Sequence, residues 1–316
     1  MKRIFLSLIA LALVSSANAQ VNFGGQQIEV SDIHCSQKFA DIDYVGDGEV
    51  YHTLDIYLPE KKAEKYPVMI HIYGSAWFNN NGKASADIGT ICKAYLEAGY
   101  AVVCPNHRAS TDAHWPAQSH DIKAVIRFIR GNAATYGFDT DFIGTSGFSS
   151  GAHLASFMAA TSGTRVTSVG KQSIDVEGSL GAYTAFRSDV QVCVSWSGPI
   201  DLEHMDCGPG MKMPVSPEEV ILGCPLNDEN RDRYASLSPL WYLDKDDPAI
   251  IIFHGTADNV VPYCQGEIWA EAVKAASIRT EFVTQPEGGH GYNMYSPANL
   301  AKATAFINEA LAKTRK

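Results

Sequence analysis

Short apolar runs alternate with longer amphipathic stretches along most of this chain. Residues 249–253 are continuously apolar, the pattern of a central parallel strand covered on both sides; 68–73 read as a buried strand, and 100–104 and 190–196 as further strands. Residues 50–58 alternate in polarity instead, which predicts an early edge strand. Residues 141–146 predict a short buried strand and 280–284 the last one. Between them, 85–98 reads as a helix stopped by Gly99, 152–160 as a helix, and 300–312 as a closing helix. Residues 121–130 read as an amphipathic helix, with Ile122, Val125, Ile126 and Ile129 at i, i+3, i+4 and i+7. This order predicts an α/β fold: a mostly parallel central sheet with helices on both faces. Two stretches break the rhythm. Residues 165–186 are polar and rich in Gly and Ser; residues 201–234 are rich in Pro, Gly, Met and acid. Both read as excursions on one rim of the sheet rather than as linkers. With no internal repeat, residues 20–316 read as a single domain.

The first 19 residues stand apart. Lys2 and Arg3 precede an apolar stretch over 4–14, too short to span a bilayer comfortably, and Ala17-Asn18-Ala19 forms a small-x-small cleavage site before Gln20. This is the pattern of a cleavable signal peptide and predicts a secreted or periplasmic protein. The chain contains no Asn-x-Ser/Thr sequon, which suits a bacterial periplasm at least as well as a eukaryotic secretory route. The net charge of −10 over 316 residues argues against a nucleic-acid or anionic-membrane partner. Seven cysteines are an odd number for an exported chain. Cys92, Cys104 and Cys193 sit in apolar settings and read as buried thiols. Cys207 and Cys224 bracket a loop rich in Pro, Gly and Met, and are expected to form a disulfide. No spacing suggests a metal site, and no cofactor is implied.

The candidate chemistry centres on Gly147-Phe148-Ser149-Ser150-Gly151. A strand precedes it and a helix follows, the setting in which a G-x-S-x-G turn holds a serine in a strained backbone with its Oγ exposed. A Cβ at either glycine would crowd the turn. A serine hydroxyl needs a histidine base and a carboxylate to orient it, and in this arrangement they follow in the order Ser, acid, His. Asp258 follows the apolar run 249–253. His290 lies in Gly288-Gly289-His290-Gly291, after the last predicted strand. Ser149, Asp258 and His290 are therefore the predicted catalytic residues, with Asp201 as the fallback acid. His153 reads as a packed core histidine, and His71 and His254 flank buried strands. The oxyanion donors are expected to be the N–H of Ser150 and that of Ala76 or Ser75, in the loop Tyr73-Gly74-Ser75-Ala76-Trp77.

With these motifs the chain resembles an α/β-hydrolase of the feruloyl-esterase and carbohydrate-acetylesterase branch. The resemblance also rests on Leu54-Asp55-Ile56-Tyr57-Leu58-Pro59, Asn106-His107-Arg108-Ala109-Ser110, and Pro116-Ala117-Gln118 with Asp121. Two departures stand out: Tyr73 occupies a position where His is usual, and Asn106-His107 precedes Arg108 where a Tyr is more usual. The resemblance implies a serine esterase acting on plant polysaccharide, feruloyl groups first and O-acetyl groups as the alternative. It further implies that Trp77 and the 201–234 excursion shape a substrate subsite, core packing being the other reading of Trp77. An exported peptidase would need an added propeller or cap domain. A non-catalytic binding protein on the same scaffold would usually have lost a member of the triad.

Overall fold

The runs without a polar face form neighbouring strands inside an eight-stranded sheet in the computed structural model, which describes residues 33–210 and 213–315. The predicted leader, residues 1–19, lies outside the described residues. The strands are β1 Gln37–Asp43, β2 Thr53–Leu58, β3 Tyr66–Ile72, β4 Ala101–Pro105, β5 Phe138–Phe148, β8 Val192–Trp196, β9 Ala249–Gly255 and β10 Thr280–Gln285, in the order β1-β2-β4-β3-β5-β8-β9-β10. Strand β2 runs antiparallel to both its neighbours; every ladder from β4 to β10 is parallel. A separate hairpin joins β6 Val166–Val169 and β7 Gln172–Asp175. The helices are α1 Lys93–Glu97, α2 Ala117–Gly131, α3 Ala133–Tyr136, α4 Ser150–Ala160, α5 Pro217–Leu222, α6 Arg231–Leu237, α7 Tyr263–Ala275 and α8 Pro297–Thr314.

The period of two along a strand explains why the central runs needed no polar positions. In β9, Ile250 and Ile252 enter the core under α2, α4 and α7, while Ile251 and Phe253 enter the opposite core under α1 and α8. In β4, Ala101 and Val103 face the first core, and Val102 and Cys104 the second.

Several expectations shift on the structure. Residues 50–52 form a 3-10 turn, so β2 begins at Thr53. It is not an edge strand, because β1, whose residues are largely exposed and polar, pairs along its outer side. The predicted helix over 85–98 is interrupted: Asp87 adopts a left-handed φ of 49°, a π turn covers Ile88–Cys92, and only α1 is α-helical before Gly99. Helix α8 starts before 300 because Ser296 caps it, accepting the Asn299 N–H at 3.2 Å, with Pro297 at the first helical position. The two excursions do not share a rim. The first links the end of α4 to the start of β8, at the N-terminal edge of the sheet. The second leaves the C-terminal edge after β8 and contributes α5 and the start of α6.

The disulfide also differs from expectation. Cys207 pairs with Cys264 at a Cα–Cα distance of 6.2 Å, and Cys224 is a free thiol. The segment after β8 folds back onto the start of α7, where Gln265 Oε1 accepts the N–H groups of Ile200 (2.8 Å) and Asp201 (2.7 Å). That fold-back carries Cys207 to Cys264. Cys224 is held elsewhere, its carbonyl accepting the Tyr234 hydroxyl at 3.0 Å. Peptide mapping without reduction should show Cys207 linked to Cys264. With the partners 57 positions apart in sequence, Cys264→Ser should lower unfolding stability by about 4 kcal/mol in the chain-entropy account. An unchanged denaturant midpoint, or a Cys207–Cys224 peptide, would contradict the assignment.

Candidate active site

The turn between β5 and α4 places Ser149 at φ 55° and ψ −124°, a conformation that β-carbon-bearing residues adopt only when their surroundings enforce it. Enforcement comes from both sides. The Ser149 N–H donates to the Trp196 carbonyl at 2.9 Å, and the Ser149 carbonyl accepts the His153 N–H at 3.0 Å. A Cβ at Gly147 would lie 2.2 Å from the Gly151 carbonyl oxygen, and one at Gly151 would lie 2.0 Å from that of Ile72. Glycine is required at both positions by close approach.

The structure brings Asp258 and His290 together. Asp258 lies in the loop after β9, its Oδ1 accepting the Val260 (3.0 Å) and Val261 (2.9 Å) N–H groups. Its Oδ2 accepts His290 Nδ1 at 2.8 Å and lies 3.4 Å from His254 Nε2. Burial alone would raise this carboxyl's pKa. Hydrogen bonds from His254 and His290, with their charge, outweigh it and hold the group well below the ordinary carboxylate range. An ionised carboxylate only accepts, so the His290 proton resides on Nδ1 and Nε2 is left as the basic nitrogen. The two loops are tied directly, the Ala257 N–H donating to the Gly288 carbonyl at 2.8 Å. The His290 ring rests on Phe148, with centroids 4.7 Å apart, and Phe148 immediately precedes Ser149. Asp201, the fallback acid, instead bonds the exposed His204 at 2.8 Å.

The loop after β3 separates the oxyanion candidates. The Ser75 N–H donates to Ser150 Oγ at 2.8 Å and is thereby engaged. The Ala76 N–H has no acceptor among the described residues, and Ala76 has φ 51°. The Ser150 N–H, in the first turn of α4, has no intrahelical acceptor by position. Trp77 is a correction to the subsite expectation. Its ring is 1% exposed and packs edge-on against His153, 5.1 Å between centroids, as part of the core. His153 is a core residue, bonded to the Leu237 carbonyl at 2.7 Å, with burial lowering its pKa to about 4.

The two departures from the usual motifs meet. Tyr73 stacks on His107 at 4.8 Å with planes 10° apart, and its hydroxyl donates to the Asn79 carbonyl at 2.7 Å. The neighbouring motif residues are structural. Arg108 grips Asp121 through Nε at 3.0 Å and an amino nitrogen at 2.6 Å, and Asn106 Nδ2 bonds the Val50 carbonyl at 3.0 Å.

Sequence reasoning set His254 and His71 aside as residues flanking buried strands. His254 proves to stand beside the acid: its Nε2 meets the Val261 carbonyl at 2.9 Å and lies 3.4 Å from Asp258 Oδ2. His71 Nδ1 meets Ser146 Oγ at 3.0 Å and its Nε2 meets Asp87 at 3.1 Å, while the Tyr95 hydroxyl joins Ser146 at 2.9 Å. This buried polar network sits three residues before Ser149 on β5. A histidine within an otherwise apolar strand was its one visible signal.

With the geometry in place, the chain can be set beside known proteins. The family model described as BD-FAE matches residues 54–273. Among solved structures, the chain is similar to a truncated carbohydrate esterase from gut microbiota: 41% identical, TM-score 0.84, covering 89% of this chain and 98% of that one. It is also similar to a bifunctional GH43-CE protein of Bacteroides eggerthii, 44% identical with a TM-score of 0.82, over 86% of this chain and 35% of that one. Among curated proteins it is 28% identical to the esterase LipQ of Mycobacterium tuberculosis over 86% of this chain. It spans 61% of the length of LipQ and 54% of that of LipM, a probable carboxylic ester hydrolase of the same organism.

Proposed function

The chain belongs to the BD-FAE family of α/β-hydrolase esterases, and from that premise we propose that it is a serine carboxylesterase that removes ester groups from plant polysaccharide, feruloyl groups first. The observation that carries this reading is the Asp258–His290 hydrogen bond, placed against the turn that strains Ser149. Ser149 Oγ attacks the ester carbonyl while His290 Nε2 takes its proton, and Asp258 stabilises the imidazolium through Nδ1. The Ser150 and Ala76 N–H groups hold the oxyanion. His290 returns the proton to the departing alcohol. It then deprotonates a water that cleaves the acyl-enzyme, releasing the acid and restoring Ser149. The family takes in both acetyl and feruloyl esterases, so the size of the acyl pocket decides between them.

Residues 1–19 serve in this proposal as a leader removed on export, a reading supported by Lys2, Arg3 and the Ala17-Asn18-Ala19 site, and by a disulfide suited to an oxidising compartment. The test is a rate comparison of methyl ferulate with p-nitrophenyl acetate. A higher kcat/KM on ferulate is expected. Turnover of acetate alone would move the reading to deacetylation, and turnover of neither would sink it.

A further inference from the structure

At the opposite end of the sheet from Ser149, a cavity of about 600 Å³ lies among the end of α4, the 165–190 excursion, the segment leading into β9 and the end of α8. Ser149, Asp258 and His290 all follow the C-terminal ends of strands. This cavity is built at the N-terminal ends of β8 and β9, so it is separate from the reaction site.

Its wall is held with unusual investment. Helix α2 sends Ser119 Oγ to the Val176 carbonyl (2.7 Å) and His120 Nε2 to that of Asp175 (2.8 Å). Arg127 bonds the Leu180 carbonyl (3.0 Å) and Glu177, and Arg130 bonds the carbonyls of Arg187 (3.0 Å) and Asp189 (2.8 Å). Burying guanidinium groups is costly unless each is paired, and here both are spent on fixing the backbone of one surface excursion. A wall fixed in advance loses little freedom when a ligand arrives.

What the wall presents is an aromatic ring and guanidinium groups. Phe186 is 43% exposed, and the Arg187 side chain is 72% exposed although its Nε lies 3.4 Å from Asp189. The carboxylates of the cleft are already matched. Glu177 bonds Arg127 and Ser188, Asp189 is 3.3 Å from Arg130, and Asp246 is 2.8 Å from Lys245. Arg165 has no ion-pair partner among the described residues. Asp189 is shared by Arg130 and Arg187, and Arg165 is left over, in a chain of net charge −10. The size falls within the range of ligand pockets. A half-exposed phenyl face suits the C–H face of a sugar ring, and a guanidinium fork suits a carboxylate.

We propose that this cleft binds a uronate-bearing stretch of polysaccharide, holding the substrate chain remotely from the catalytic edge. The proposal rests on the polysaccharide-esterase reading above. The test is calorimetric titration of the full chain carrying Ser149→Ala with two probes: a xylo-oligosaccharide bearing one glucuronic acid, and the same oligosaccharide without it. The acidic probe is expected to bind at least about ten-fold tighter, each factor of ten being worth 1.4 kcal/mol. Phe186→Ala and Arg165→Gln should each remove at least about that margin. With Ser149 intact, the same two substitutions should leave p-nitrophenyl acetate hydrolysis unchanged. Equal affinity for both probes, or uronate binding indifferent to both substitutions, would overturn the proposal. Failure of the titration with ester turnover intact would remove only the cleft. Absence of ester turnover in the unmodified chain would instead count against the esterase reading.

Discussion

Ser149→Ala is expected to abolish ester hydrolysis almost completely, on the order of a 10⁶-fold loss in kcat by analogy with other triads, while the protein stays folded. The backbone at this turn is fixed by the Trp196 carbonyl, the His153 N–H and two glycines, none of which uses the Ser149 hydroxyl. Removing Oγ therefore takes away the nucleophile without releasing the turn. Labelling gives an independent readout: a fluorophosphonate should attach to the unmodified chain and not to the variant. A variant that kept more than a few per cent of the wild-type rate would show that the nucleophile lies elsewhere.

Asp258→Asn should cost about 10⁴-fold in kcat, the loss seen when a triad carboxylate becomes an amide. An Asn side chain can still accept from Val260 and Val261. It no longer supplies the charge that His290 and His254 share, and its NH₂ can face His290 Nδ1 and force the wrong tautomer. The pKa of Asp258 is depressed by these partners, which fixes the sign of the pH dependence. Its contribution to stability is present above the unfolded value of about 3.9 and is lost only as pH falls through the lower folded value. Asp258 therefore stays ionised through the ordinary carboxylate range, and an acid limb in kcat/KM above that range belongs to another group. If Asp258→Asn retained a tenth of the activity while Asp201→Asn lost it, the acid would have to be reassigned to Asp201.

Much of this architecture could be read before any coordinates because strands buried on both faces announce themselves. Residues 249–253 have no polar face to offer, and the structure puts alternate members in two different cores. The acid loop was legible for a related reason, since it follows such a strand; the base loop was legible from the glycines that flank His290 after a half-buried edge strand. Strand β1 was not legible, because its partly solvated residues carry no apolar signature. The helix over 85–98 failed at Asp87, whose left-handed backbone is a tertiary outcome that periodicity cannot register. Cys264 was missed as the partner of Cys207 because proximity in sequence says nothing about a segment folding back onto a helix 57 residues on. Trp77 was ambiguous for want of a direction. A tryptophan beside an oxyanion loop can face the substrate or the core, and His153 beneath it settles which.

The Tyr73–His107 stack changes how the two departures from the usual pattern are to be counted. Compared position by position, a Tyr where His is usual and a His where Tyr is usual are two mismatches beside the reaction site. In this chain they meet as one contact, a phenol lying face to face with an imidazole. A substitution at either position is felt by the other, so Tyr73 and His107 count as one coupled change rather than two independent ones.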